Sequence, residues 1–161
     1  MSSPSEHKVT RRHPAARLAV IGVGHELRGD DAAGAQVARR LAPYAWERLL
    51  VIDAGSAPEN FSGVVRRFSP TGVLFVDVAQ MDEPPGTVRW LTEDEIAGLS
   101  ASTHTLPLRL LARYLQEHVN CQVYLIGIQP ARDGLDDALS PEVTAAVNGV
   151  ASGIRAVFAW T

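Results

Sequence analysis

Four runs of apolar residues divide the chain: "RLAVIGVG" from Arg17, "RLLVIDAG" from Arg48, "TGVLFVDVA" from Thr71 and "CQVYLIGIQP" from Cys121. They are rich in Val, Ile and Leu and show no strict alternation with polar residues. That pattern predicts short strands covered on both faces, as in a parallel sheet. Between them the period changes. Val37 and Leu41 are one helical turn apart within Ala33–Leu41, as are Leu111 and Leu115 within Leu106–His118. Val143, Val147, Val150, Ile154 and Val157 keep helical spacing over Pro141–Phe158. Start signals accompany several elements: Ser56 to Glu59 and Thr92 to Glu95 have capping-box form, and Ser140-Pro141 reads as an N-cap followed by proline in the first helical position.

Strands alternating with helices predict an α/β fold, a three-layer sandwich with a mostly parallel twisted sheet flanked by helices. Residues 1–16 read as a flexible polar tail and residues 17–161 as a single domain. In such sheets the ligand crevice lies outside the carboxyl ends of the strands. The rule selects the loop Gly22–Asp31, Asp53 at the end of the second strand, Asp77 at the end of the third, and the turn "GIQPARDG" after the fourth.

Composition narrows the classes of function. A net charge of −3 over 161 residues gives no electrostatic reason to expect nucleic acid or an anionic membrane as partner. No run is long enough to span a bilayer. Cys121 is the only cysteine, which excludes intrachain disulfides and multi-cysteine zinc sites and fits a reducing cytoplasm; its position at the start of a strand predicts a buried, unreactive thiol. The segment "TRRHPAARLAVIGVG" has too short an apolar stretch for an export signal. Arg39-Arg40 and Arg66-Arg67 read as solvated faces, and the two prolines of "AQMDEPPGT" predict a stiff rim, with Trp90 beside it as a candidate substrate contact.

The loop "GVGHELRGDDAAG" carries the candidate chemistry. As a dinucleotide cradle it is poor: Leu27 stands at the third glycine position, no P-loop lysine is present, and Glu26, Asp30 and Asp31 would face the pyrophosphate. Asp53 could still mimic a ribose-binding acid, so a dinucleotide-binding oxidoreductase stays as one alternative. For Asp30 and Asp31 the plainest reading is a helix cap with a favourable dipole contact. One acid suffices for that, leaving the second free to face the crevice with Asp77. His104 lies in the loop or first turn leading into the helix over Leu106–His118. Two carboxylates and an imidazole on one rim would suit a divalent transition metal with open coordination positions.

These residues resemble the endopeptidases that mature the large subunit of nickel-iron hydrogenases, from Leu18 to about Val150. "GVGHELRGDDAAG" is similar to that family's opening motif, "VIDAGSAPENF" to its second-strand motif, "FVDVAQMDEPPGTVRWL" to its aspartate and proline-glycine pattern, "STHTLPLRLL" to its histidine-led helix, and "LIGIQPARDGLDDALSPEV" to its closing motif. "GSAPEN" is especially like the branch serving hydrogenase 3, the formate-hydrogenlyase enzyme. The resemblance implies removal of a C-terminal peptide from a hydrogenase large-subunit precursor after nickel insertion. Nickel would be presented by the substrate rather than held permanently. Asp31, Asp77 and His104 would contact the metal and carry catalysis, and Asp53 with Gly55 would serve substrate recognition. A free monomer in the cytoplasm is the implied form. A chaperone that binds the nickel-loaded precursor without cutting it is the second alternative. Two positions depart from the pattern: His25 stands where asparagine is usual, and Ala32 where a glycine commonly follows the acidic pair, which implies that position 32 needs no positive φ.

Overall fold

A computed structural model describes residues 16–92, 95, 105–131 and 138–158 of the chain. The four apolar runs form β1 (Leu18–Val23), β2 (Leu49–Gly55), β3 (Gly72–Val78) and β5 (Gln122–Ile128), mutually parallel in the order β2-β1-β3-β5. Among the described residues the full helices are α1 (Ala33–Leu41), α2 (Ser62–Phe68), α3 (Thr105–Val119) and α4 (Pro141–Phe158). Three of them match the sequence periodicity to within one residue at each end. The predicted tail falls almost entirely outside the described residues. Among the described residues no helix is long and apolar enough to cross a membrane.

A fifth strand, β4 (Val88–Leu91), pairs antiparallel with β5 and forms the edge of the sheet. The sequence pattern does not distinguish it from the rim loop. Only four residues long, with Leu91 alone buried, it lacks the apolar run that marks the inner strands. Trp90 on β4 is 63% exposed and meets Tyr124 edge to face at 6.1 Å.

Alternating strand residues feed two cores. Ala19, Ile21, Val23, Val73 and Phe75 pack with Val65 of α2 and Leu108, Leu111 and Leu115 of α3. Val20, Leu74, Val76, Ile126 and Ile128 pack on the other face with Val37 and Leu41 of α1 and Val143, Val147 and Ile154 of α4. Each buried aliphatic side chain contributes about 1.5–3 kcal/mol relative to exposure. Periodicity of 2 in the sheet and 3.6 in the helices thus yields three layers.

The N-terminal ends of the helices are less uniform than their sequences suggest. Thr92 and Glu95 form the expected reciprocal box: the Thr92 N–H donates to Glu95 Oε2 at 2.9 Å, and the Glu95 N–H to Thr92 Oγ1 at 3.3 Å. The Val143 N–H donates to Ser140 Oγ at 3.4 Å, as the N-cap reading requires. The Ser56–Glu59 box is a correction. A 3-10 turn at Pro58–Phe61 enters α2, and neither it nor α2 has a side-chain cap, because Pro58 moves the helical start past Ser56.

Candidate active site

β1 has β2 on one side and β3 on the other, and the helices that follow β1 and β2 lie on opposite faces. The strand order therefore reverses between β1 and β3, and in sheets of this kind the ligand crevice lies outside the carboxyl ends of the strands at that point. What brings α1 close enough to build on this crevice is the absence of side chains. A Cβ on Gly34 would strike the carbonyl oxygens of Val76 and Val23, and one on Gly22 would strike the carbonyl of Gly34. Helix and strand backbones thus touch directly, and the 3-10 turn Gly29–Ala32 that leads into α1 sits over the end of β3.

Asp77, the penultimate residue of β3, is 4% exposed. Burial pushes its carboxyl up to about 8; the Val78 N–H, donating at 2.8 Å, opposes the rise, and the negative charge of Asp31 adds to it. Asp77 and Asp31, both in the region the strand-end rule selects, are thus electrostatic neighbours. Asp31 is half-buried, and its Oδ2 accepts from the His25 N–H at 3.2 Å. The third predicted residue, His104, lies outside the described residues.

The other acid of the pair, Asp30, is not the helix cap that its position suggests. α1 follows Ala32 without a side-chain cap, and Asp30 is buried. Its Oδ2 accepts from the Ala131 N–H at 2.9 Å and its Oδ1 from the Ser140 N–H at 2.6 Å. It ties the loop after β1 to both flanks of the segment between β5 and α4. Partners 101 and 110 residues away leave no local signature, so nearest-neighbour reasoning favours the cap. Asp30→Ala would orphan two N–H groups that now have charged acceptors, at about 1.5–3 kcal/mol each. The expected result is a loss of roughly 3–5 kcal/mol in chemical denaturation; a loss below about 1 kcal/mol would contradict the bridge.

Asp53 also has a partner that the sequence does not reveal. Arg39 Nε donates to Asp53 Oδ2 at 2.6 Å and Arg39 Nη2 to Glu26 Oε2 at 2.8 Å. Arg39 is exposed, as the solvated-face reading expects, and it also joins the loop after β1 to the end of β2. Such exposed pairs contribute at most about 1 kcal/mol, so their effect is on loop placement. Gly55 closes the same corner. With φ at +54° it donates its N–H to Asp53 Oδ1 at 3.3 Å, and its carbonyl accepts from the Gly24 N–H at 2.9 Å. Gly24 itself lies against the Asp31 carbonyl, so the glycine-rich loop is filled by its own backbone instead of opening around a phosphate. Ala32 has φ −78°, as its replacement of glycine implies.

The rim "AQMDEPPGT" is held by Gln129, at the end of β5 and 6% exposed. Gln129 Oε1 accepts from the Met81 N–H at 2.7 Å, and its backbone carbonyl accepts from the Gly86 N–H at 2.8 Å. No thiol nucleophile competes for the site. Cys121 is buried at the opposite end of β5, burial raises its pKa, and its Sγ lies 3.7 Å from the Leu115 carbonyl. Incubation of the native protein with iodoacetamide at pH 8 should leave the intact mass unchanged; stoichiometric alkylation would overturn this placement.

Fold and site together define a small doubly wound α/β protein whose candidate chemistry rests on carboxylates at the point where strand order reverses. A family model described as hydrogenase maturation protease matches residues 35–156. The chain belongs to the hydrogenase maturation protease family, and it is a hydrolase, an endopeptidase. It is 39% identical over 122 residues to a putative hydrogenase maturation protease of Methanocaldococcus jannaschii, covering 71% of this chain and 72% of the relative. It is 38% identical over 112 residues to the hydrogenase 3 maturation protease of Escherichia coli K12, covering 69% of this chain and 71% of the relative. The fold superposes on the crystal structure of the nickel-iron hydrogenase maturation protease HycI from Thermococcus kodakarensis with a TM-score of 0.81, at 32% identity, covering 88% of this chain and 92% of that one.

Proposed function

We propose that this endopeptidase removes a C-terminal peptide from a nickel-iron hydrogenase large-subunit precursor after nickel has been inserted, and that nickel in the precursor is the feature it recognises. The observation that carries the reading is the Asp31–Asp77 pair. Two neighbouring carboxylates at the carboxyl end of the sheet, one of them buried and made reluctant to ionise by burial and by its neighbour, form a pair of oxygen donors with no ion-pair partner among the described residues. A divalent cation supplied by the substrate meets that deficit, and the proton on Asp77 leaves as the metal arrives. His104 is assigned as the third ligand by family resemblance. The metal can supply Lewis-acid polarisation of a carbonyl or acidification of a water. Asp53 and Gly55, on the neighbouring rim with Arg39, are assigned to substrate recognition. The protein acts as a monomer in the cytoplasm.

The test is mass spectrometry of a hydrogenase large-subunit precursor, prepared with and without nickel, after incubation with this protein. Loss of one C-terminal peptide from the nickel-loaded sample alone is the expected result. Cleavage of both samples would remove the nickel requirement, and cleavage of neither from a competent precursor would remove the substrate assignment.

A further inference from the structure

Between β1 and the acidic pair the chain makes a tight turn from His25 to Arg28, closed by the Arg28 N–H donating to the His25 carbonyl at 3.1 Å. The His25 side chain takes part in the same turn: the Leu27 N–H donates to His25 Nδ1 at 3.2 Å. Asparagine and aspartate are favoured at the first position of such turns because a side-chain oxygen on Cγ accepts from the N–H two residues on. The Nδ1 of histidine is likewise bonded to Cγ and, when unprotonated, offers its lone pair at nearly the same place.

The turn is locked to Asp31 from two directions. The Asp31 N–H donates to the Arg28 carbonyl at 3.0 Å, and the Asp31 carboxylate accepts from the His25 N–H. The backbone of His25 therefore determines where one oxygen of Asp31 points, and the ring of His25 determines the conformation of that backbone. A backbone N–H can donate only to an unprotonated ring nitrogen, so in the neutral ring the proton sits on Nε2. Coordination through Nε2 would require the other tautomer and the loss of the Leu27 hydrogen bond.

We infer that His25 is a positioning residue: its Nδ1 does the work of an asparagine side-chain oxygen, fixing the turn whose backbone N–H holds the Asp31 carboxylate. The catalytic half of this inference rests on the function proposed above. The half concerning the turn stands on the hydrogen bonds alone. Replacement of the usual asparagine by histidine is then conservative in the one respect that matters locally, an acceptor atom one bond from Cγ.

Two variants separate the acceptor from the bulk. His25→Asn keeps the δ1 acceptor, and His25→Phe keeps the ring without it. Amide hydrogen exchange by NMR is the readout that needs no substrate. Leu27 should exchange slowly in the parent and in His25→Asn and at least about tenfold faster in His25→Phe. Equal exchange in all three would overturn the turn, as would a ring 15N spectrum of the neutral parent showing the proton on Nδ1. With nickel-loaded precursor, His25→Asn should cleave within about threefold of the parent, and His25→Phe should lose at least about tenfold in kcat with intact thermal unfolding. Parity of Phe with Asn, or an Asn variant as poor as Phe, would overturn the positioning role. If the parent itself fails to cleave, the substrate assignment fails, while the exchange data still decide the turn.

Discussion

Asp77→Asn should give a protein that folds more stably than its parent at pH 8 and cleaves at least about a hundredfold more slowly. The stability half follows from the sign of the proton linkage. An exposed aspartate ionises near 3.8, whereas Asp77 in the folded chain ionises at about 8. Between those values the folded protein holds a proton that the unfolded chain has released, so stability is full below about pH 4 and falls as pH rises toward 8. An asparagine has no proton to lose and can still accept from the Val78 N–H. By pH 8 the variant should therefore be ahead by at least about 2 kcal/mol, or roughly 5 °C in Tm, with the gap closing toward pH 4. The catalytic half follows from the proposed role, since an amide cannot supply the anionic oxygen that a cation in the crevice would meet. Thermal unfolding at pH 4.5 and 8 with a parallel processing assay checks both. Parallel stability curves would show that Asp77 does not hold its proton in the folded state, and undiminished cleavage would remove it from the site.

Gly34→Ala should unfold the protein more easily by about 3 kcal/mol or more, near 8 °C in Tm. Helix propensity alone predicts the opposite sign, because alanine is favoured over glycine in a helix by about 1 kcal/mol. Close packing decides. The added methyl would meet the carbonyl oxygens of Val23 and Val76 and, at 2.8 Å, the Val23 nitrogen, all of them sheet backbone that has no rotamer by which to yield. α1 must lift, and the turn carrying Asp31 lifts with it. Activity should fall further than the remaining folded fraction explains. Gly149 and Gly153, on α4, have nothing within 4 Å of where a Cβ would stand and serve as controls in which alanine should be neutral or stabilising. Stability equal to the parent in Gly34→Ala would mean that helix and sheet are not in backbone contact.

How much of the fold is readable in the sequence depends on whether a signal is periodic. Four strands and three helices are, because a buried strand or an amphipathic helix repeats its pattern over several residues, and the strand-end rule then selects the loop Gly22–Asp31, Asp53 and Asp77 without reference to any relative. β4 is hidden by its length and its exposed edge position, and α2 by its seven residues. The roles of Asp30 and Arg39 escape for a different reason. Each is decided by atoms brought near in space alone: Ala131 and Ser140 for the first, Glu26 and Asp53 for the second. A carboxylate that follows a glycine and precedes a helix looks like a cap whatever holds it in three dimensions. His25 shows the converse case, where a residue that departs from the family motif accepts a hydrogen bond from the Leu27 N–H that its type does not announce.

The bridge from Asp30 also sets a schedule. While the chain is being synthesised, β1 and α1 emerge early, but the Ser140 N–H that Asp30 accepts does not yet exist. Residues 22–34 therefore cannot take their final form until the last helix begins, and nascent chains lacking it leave a carboxylate without its buried partners. The loop after β1 is thus completed by backbone made more than a hundred residues later, so its folding waits for nearly the whole chain.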